Sequence, residues 1–395
     1  MKTIKITPFL LALSLLVSCS SDGDDGPDMT GPQDATLTLA IAPGSILTKA
    51  TVAKVGETQE GEAKINNIFG ALFKEDGSLL TTAYVDYKNQ TEKTPDTIRI
   101  SAKSDTPYKY VVLVNAGNIN CSNMDDLLKK SYNLTDVKVD NQPMGSNFLD
   151  IIGLKPGTNY YGEENAFTNK PVGYSFYNKN NVKVYRIFSR IDFEKISINW
   201  NEDNAADLLK EKARFRLNRV YVVDAKSAVY LADHQQDENN NSVEIITKPA
   251  YLHGRAEGDG YLASLNLFPR NDESSSSAII NSGGEWDITA NPLRCYITEN
   301  TEATNPTMLV LKGDILHQEN DAPILSDRYF FIELKDMKDT VGKELSGILR
   351  NYVIRISATI TGKGSGDEEY RENAYATVTV IPDDWSVETQ KENVN

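Results

Sequence analysis

Apolar residues in this chain recur at every second position in short runs, a spacing that one face of a strand requires and a helix cannot use. Thr36-Leu37-Thr38-Leu39-Ala40-Ile41 sets Leu37, Leu39 and Ile41 on one side. Runs at 65–73 and 78–85 flank Glu75-Asp76-Gly77. Asp-Gly accepts the positive φ of a tight turn, so the two runs read as a hairpin. Residues 97–102 and 109–115 are further strands, the second apolar enough to be central. Residues 123–130 form the one short helix expected, with Asn123 as N-cap and Asp125-Asp126 in the first turn. A polar stretch rich in Tyr, Asn and Gly at 157–180 reads as a separator and puts a domain boundary near Phe176, within about ten residues. Beyond it, 182–198 reads as one long strand interrupted by Arg186, Arg190 and Asp192. Strands at 216–223, 261–268, 293–298, 308–312 and 328–334 follow, then a hairpin of 351–361 and 374–381. Segments 237–242 and 272–277 read as exposed loops. Frequent short strands with turn signals between them predict an all-β chain of two tandem β-sandwiches, 35–175 and 176–395.

The first residues bear on compartment. Lys2 and Lys5 precede an apolar run at 9–17, and Leu16-Val17-Ser18-Cys19 closes it with small residues before a cysteine. That order predicts a secretory signal peptide over 1–18 and a lipobox, in which the Cys19 thiol is acylated and becomes the new N-terminus. The run is shorter than the roughly 20 residues a spanning helix needs, so the acyl chains are the expected anchor. Residues 19–34, with Ser20-Ser21-Asp22-Gly23-Asp24-Asp25-Gly26-Pro27-Asp28, read as a disordered acidic tether. An acidic patch after the lipidated cysteine resembles the surface-export signal of Bacteroidota lipoproteins. The formal charge of −15 becomes −17 once Lys2 and Lys5 are lost, which favours solubility and makes nucleic acid a poor partner. Cys121 and Cys295 read as buried free thiols, with a lone disulfide the alternative open to an exported chain.

Little in the chain points to catalysis. None of His234, His253 and His317 falls in a metal-ligand pattern with cysteines or carboxylates, and neither HExxH nor CxxC occurs. No Gly-x-Ser-x-Gly elbow is present. Gly362-Lys363-Gly364-Ser365-Gly366 leads into a strand and reads as a turn rather than a phosphate loop. Glu163-Glu164 and Asp383-Asp384 are adjacent carboxylates, which a strand would point to opposite faces. The expectation is therefore a non-enzyme without cofactor or metal.

Phe188-Ser189-Arg190-Ile191-Asp192-Phe193 is similar to the motif that opens the second domain of the FimA-like fimbrial subunits (fimbrillins, type V pilus) of Bacteroidota, and further segments resemble that family in order. Cys295-Tyr296-Ile297-Thr298-Glu299-Asn300, Pro306-Thr307 and Leu309-Val310-Leu311-Lys312-Gly313 resemble its aromatic-Glu-Asn segment and following strand. Leu349-Arg350-Asn351-Tyr352 with Ile360-Thr361-Gly362 is similar to its Arg-Asn-His strand and turn. Ala376-Thr377-Val378-Thr379-Val380 and Trp385 resemble its C-terminal tail. Asp96-Thr97-Ile98 and Asp339-Thr340-Val341 resemble the O-glycosylation acceptor of periplasmic proteins in the same phylum.

The resemblance implies tandem sandwiches of transthyretin-like or Ig-like type and a pilus assembled by strand exchange. On that scheme an outer-membrane lipoprotein precursor reaches the surface and an Arg- or Lys-specific protease removes 35–49. The vacated groove then takes the C-terminal strand of an identical or related pilin, head to tail. The matching cleavage site is Lys49-Ala50, lysine standing where the best-known members carry arginine; Lys54 is a second candidate. The displaced strand is carried by Leu37, Leu39 and Ile41. The donor strand is 385–395, with Trp385, Val387 and Val394 as its apolar residues and Glu388, Lys391 and Glu392 as charges that depart from the family pattern. Burying each aliphatic side chain is worth roughly 1.5–3 kcal/mol, and each buried unpaired amide costs about 1–3 kcal/mol, so an emptied groove favours any fitting strand. Addition at a sheet edge is an established recognition mode, and its head-to-tail form propagates. The expected function is a stalk-type structural pilin of a cell-surface fimbria that contributes to adhesion. The alternatives are a pilus anchor or tip subunit, or a monomeric surface lipoprotein that binds a glycan or host protein.

Overall fold

The computed structural model describes residues 31–43, 61–87, 97–232, 250–255, 258–269, 278–339, 342–368 and 376–384. The first sheets are built from β1 (Asp34–Pro43), β2 (Asn67–Lys74), β3 (Leu79–Asp86), β4 (Thr97–Lys103) and β5 (Tyr108–Val114), followed by the short helix α1 (Met124–Leu128). Then come β6 (Ser131–Asn133), β7 (Met144–Gly145), β8 (Leu149–Ile151), β9 (Gly157–Tyr161), β10 (Ser175–Asn178) and β11 (Val182–Arg186). One layer runs β4-β1-β9-β10, and the other runs β3-β2-β5-β7-β11 with β8 beside β5. The last residues of β1, Ile41 to Pro43, pair with β11 and tie the layers together. Leu37, Leu39, Ile68, Leu72, Ile98, Ile100, Tyr110 and Val112 fill the space between them.

The hairpin expected around Asp76-Gly77 is β2–β3, with Gly77 at φ +79° and the Asp76 carboxylate accepting from Ser78 N at 2.9 Å. Asn123 caps α1 by accepting from Asp126 N at 2.8 Å. Alternation is clear in β4, where Ile98, Ile100 and Ala102 are buried and the residues between them exposed. In β2 it disappears, because both faces are covered. Ile68 and Leu72 face the first sandwich, while Phe69, Ala71 and Phe73 join a second core. Gly70 is required there: a Cβ would lie 1.9 Å from the Tyr110 hydroxyl.

The second core lies between two further sheets. One holds β12 (Ser189–Ile198), flanked by Leu293–Ile297 and Glu285–Asp287 on one side and by Tyr352–Ile360 and then Ala376–Asp384 on the other. After the helix α2 (Glu202–Lys210), β13 (Arg214–Val223) begins the other sheet, next to Met308–Leu316 and then Pro323–Glu333. The core between them is continuous with Phe69, Phe73, Val111, Leu113 and Leu127 of the first unit. Backbone pairing of β6 with Ala228–Tyr230 adds a stitch. The fold is all-β with two sandwiches.

Four expectations change. Residues 182–198 are two strands in different sheets, because Asn351 takes the backbone at the crossing: Arg186 N donates to Asn351 Oδ1 at 3.0 Å and Asn351 N to Phe188 O at 3.1 Å. The passage between sandwiches thus falls between Arg186 and Ser189. The separator at 157–180 holds two strands, β9 and β10, inside the first sandwich. A second helix, α2, is capped by Asn201, which accepts from Asp203 N at 2.6 Å. The strand expected at 261–268 is confined to Asn266–Phe268, after a 3-10 turn at Ala263–Leu265.

Candidate functional site

The candidate site is the seat of β1. From Asp34 to Ala40 the strand pairs antiparallel with β4, and from Ala35 to Leu39 it pairs parallel with β9 on its other edge. Both ladders are therefore satisfied over the same residues. Leu37 and Leu39 are wholly buried and Ile41 is 6% exposed, so the side chains picked out by alternation do face the sandwich core. The Asn159 side chain donates to Thr36 O at 3.3 Å. Lys103 meets Asp34 at 2.8 Å in the open, where such a pair contributes little. Apolar burial and backbone pairing hold this strand.

Toward the end of β1 the outer face is covered as well. Ala40 is 3% exposed and packs with Tyr160 and Phe167, backed by Tyr174 and Phe176. The Tyr160 and Phe167 rings lie 4.4 Å apart between centroids. The loop that carries Phe167 is fastened at three points. Gly162 N donates to Asn178 O at 2.9 Å, Glu163 N to Asn181 Oδ1 at 2.9 Å, and Lys170 Nζ to Glu164 O at 3.2 Å.

The segment that follows β1 in sequence returns at Gly61 and is anchored immediately. Glu62 is fully buried, and its carboxylate accepts from Arg190 Nη1 at 2.9 and 2.7 Å and from the Tyr296 hydroxyl at 2.7 Å. Arg190 turns its other edge to Asp192, at 2.8 and 2.9 Å, and Arg294 Nε reaches Asp192 at 3.3 Å. A guanidinium forked between two carboxylates is the strong geometry for such a pair. Burial acts to lower the Arg190 pKa, but the two carboxylates outweigh it and hold it raised. Burial, and next to it the Glu62 charge, push the Tyr296 hydroxyl up. Arg186 Nη2 donates to Glu62 O at 3.2 Å, while Pro43 lies opposite Val184. Both ends of the connection from β1 thus rest on β11, two residues apart. Just downstream, Asn115 accepts from Asn66 N at 2.7 Å and donates to Lys64 O at 2.8 Å.

The motif segments of the second half converge at this same junction. Ser189 Oγ donates to Leu349 O and accepts from Tyr352 N at 3.1 Å. Arg350 pairs with Glu299 at 2.8 Å, and Asn300 donates through its side chain to Thr307 Oγ1 at 3.1 Å. Cys121 and Cys295 are buried free thiols, and burial pushes the Cys295 thiol up, with the Asp192 charge adding to it.

Residues 35–186 match the family of the major fimbrial subunit protein, FimA. The match spans β1 to β11, from the seated strand to the end of the first sandwich. A fimbrilin from Porphyromonas gingivalis W83 shares the fold over 90% of this chain and 99% of its own, with a TM-score of 0.57 and 17% identity. A candidate cell adhesion protein from Parabacteroides distasonis ATCC 8503 shares it over 89% of this chain and 97% of its own, with a TM-score of 0.65 and 19% identity. A second from the same strain covers 90% of this chain and all of its own, with a TM-score of 0.61 and 20% identity. None of the curated proteins compared with the chain matches it. The matched family is one of structural subunits, and the solved structures establish the fold.

Of the residues singled out in the sequence, Leu37, Leu39 and Ile41 come together in the core of the first sandwich. Cys19, Lys49, Ala50, Lys54, Trp385, Val387 and Val394 lie outside the described residues. Sequence reasoning overlooked three contributors to the seat: Tyr160, Phe167 and Glu62. The signal for β9 and β10 was the β-forming run Thr158-Asn159-Tyr160-Tyr161 with Tyr174 to Tyr177, set among turn residues that masked it. For Glu62 no local signal existed, since its partners lie more than a hundred residues away.

Proposed function

We infer that the chain is a structural subunit of a cell-surface fimbria, exported as a lipoprotein acylated on Cys19 and polymerised by strand exchange. The observation that carries this reading is the seating of β1: an N-terminal strand, buried on its inner face and covered at Ala40 on its outer one, held between β4 and β9 by noncovalent contacts and joined to the rest through 44–60. Cleavage after Lys49 leaves β1 attached only by its ladders and side chains. Its departure opens two facing strand edges and the pockets of Leu37, Leu39 and Ile41. The resulting imbalance is large, because each exposed aliphatic pocket is worth roughly 1.5–3 kcal/mol. A strand from a neighbouring subunit restores both ladders, and repetition yields a filament. The segment 385–395 is the donor that the family resemblance implies, and a chain that carries its own donor fits a stalk subunit.

The test is direct. Mature protein from assembled filaments begins at Ala50, as read by N-terminal sequencing, and Lys49→Ala yields monomers in negative-stain micrographs. Filaments of ordinary length from Lys49→Ala overturn the processing site. Mature filament protein that still carries acylated Cys19 overturns the displacement of β1.

A further inference from the structure

The outer side of the seat is shaped around a methyl group. The strand between β4 and β9 meets a deep core on its inner face, which accepts Leu37, Leu39 and Ile41. On the outer face, residue 40 lies beneath a fixed lid. Phe167 and Tyr160 cover it, and Gly162 closes in from the side. A Cβ placed on Gly162 would stand 2.6 Å from the Ala40 Cβ and 3.0 Å from Phe167 Cζ. Gly162 is therefore already in contact with Ala40, and the lid has no slack. Its hydrogen bonds to Asn178 and Asn181 hold the loop down from both sides of Gly162. Other outward positions of β1 lack this closure, for Thr36 and Thr38 are half-buried.

The geometry points to residue 40 as a size filter for whatever strand occupies this seat. The occupant is an extended segment with aliphatic side chains at alternate positions and a residue no larger than alanine or serine between the second and third of them. As a rule for an incoming strand this rests on the proposed exchange; as a property of the seat it stands without it. Overfilling a packed site forces side chains off their rotamers or moves backbone, and here Gly162, Tyr160 and Phe167 all stand against residue 40.

Two measurements separate the filter from the exchange. In the intact chain, Ala40→Leu lowers the thermal midpoint while Ala40→Ser and Thr36→Leu leave it near the wild-type value, and Phe167→Ala relieves part of the leucine loss. An Ala40→Leu midpoint equal to wild type overturns the filter whatever the fate of β1. For the second measurement, a full chain carrying one engineered protease site within 44–60 is cut. It is then incubated with a fluorescent peptide of sequence 34–43 or with the same peptide bearing leucine at position 40. The alanine peptide displaces β1, and the leucine peptide is retained at least about tenfold more weakly. Equal retention overturns the filter as a rule for incoming strands. If neither peptide enters, the exchange reading falls, and so does the rule for incoming strands, while the tight seat is judged on the midpoints alone.

Discussion

Tyr110 and Glu62 mark opposite ways of burying a polar group. The Tyr110 hydroxyl sits above Gly70 with no hydrogen-bond partner among the described residues, and burial pushes its pKa up. An unsatisfied buried hydroxyl costs about 1–3 kcal/mol, so Tyr110→Phe raises the denaturant midpoint without change of slope. Glu62, by contrast, is satisfied on both oxygens. Its loss leaves Arg190 with one carboxylate, and breaking such a pair is strongly destabilising. Glu62→Ala lowers the unfolding free energy by about 3 kcal/mol, the lower end of that range because Asp192 remains. Chemical denaturation of both variants checks the contrast. Single-residue roles of this kind are barely legible in a sequence. Arg190 and Asp192 look like interruptions of a strand until the fold brings Glu62 to them from the far side of the chain.

At the level of elements, period-two patterning located the strands whose two faces differ in burial, β1, β3 and β4 among them. It was silent where both faces are covered, and it read β9 and β10 as a linker because turn residues crowd them. The error matters, since β9 forms one wall of the β1 seat. It also explains why the seat could be only half drawn from sequence: alternation reports the inner face of β1, whereas the outer lid comes from residues 120 positions away. Leu39 is wholly buried in that seat, and truncating a buried leucine costs about 2–5 kcal/mol. Leu39→Ala therefore loosens β1, and limited proteolysis of the intact variant within 31–43 is faster than in wild type. An equal change in cleavage at sites in the second sandwich would mean that the loss is global rather than local to the strand.

Across the whole molecule, the two sandwiches are not beads on a string. Phe69, Phe73 and Leu113 of the first belong to the core of the second, β6 pairs across, and the Glu62 network spans the join. Calorimetry of the full chain accordingly shows one cooperative transition rather than two, with calorimetric and van't Hoff enthalpies in agreement. The order of strands around the seat has a last consequence. β4 and β9 run in opposite directions, one antiparallel and the other parallel to β1. Beyond them the last residues of β1 meet β11 in parallel, so a strand laid in the gap the other way up would trade every ladder for its opposite. The methyl-sized niche over Ala40 lies toward that same end, and it marks which end of a strand belongs there.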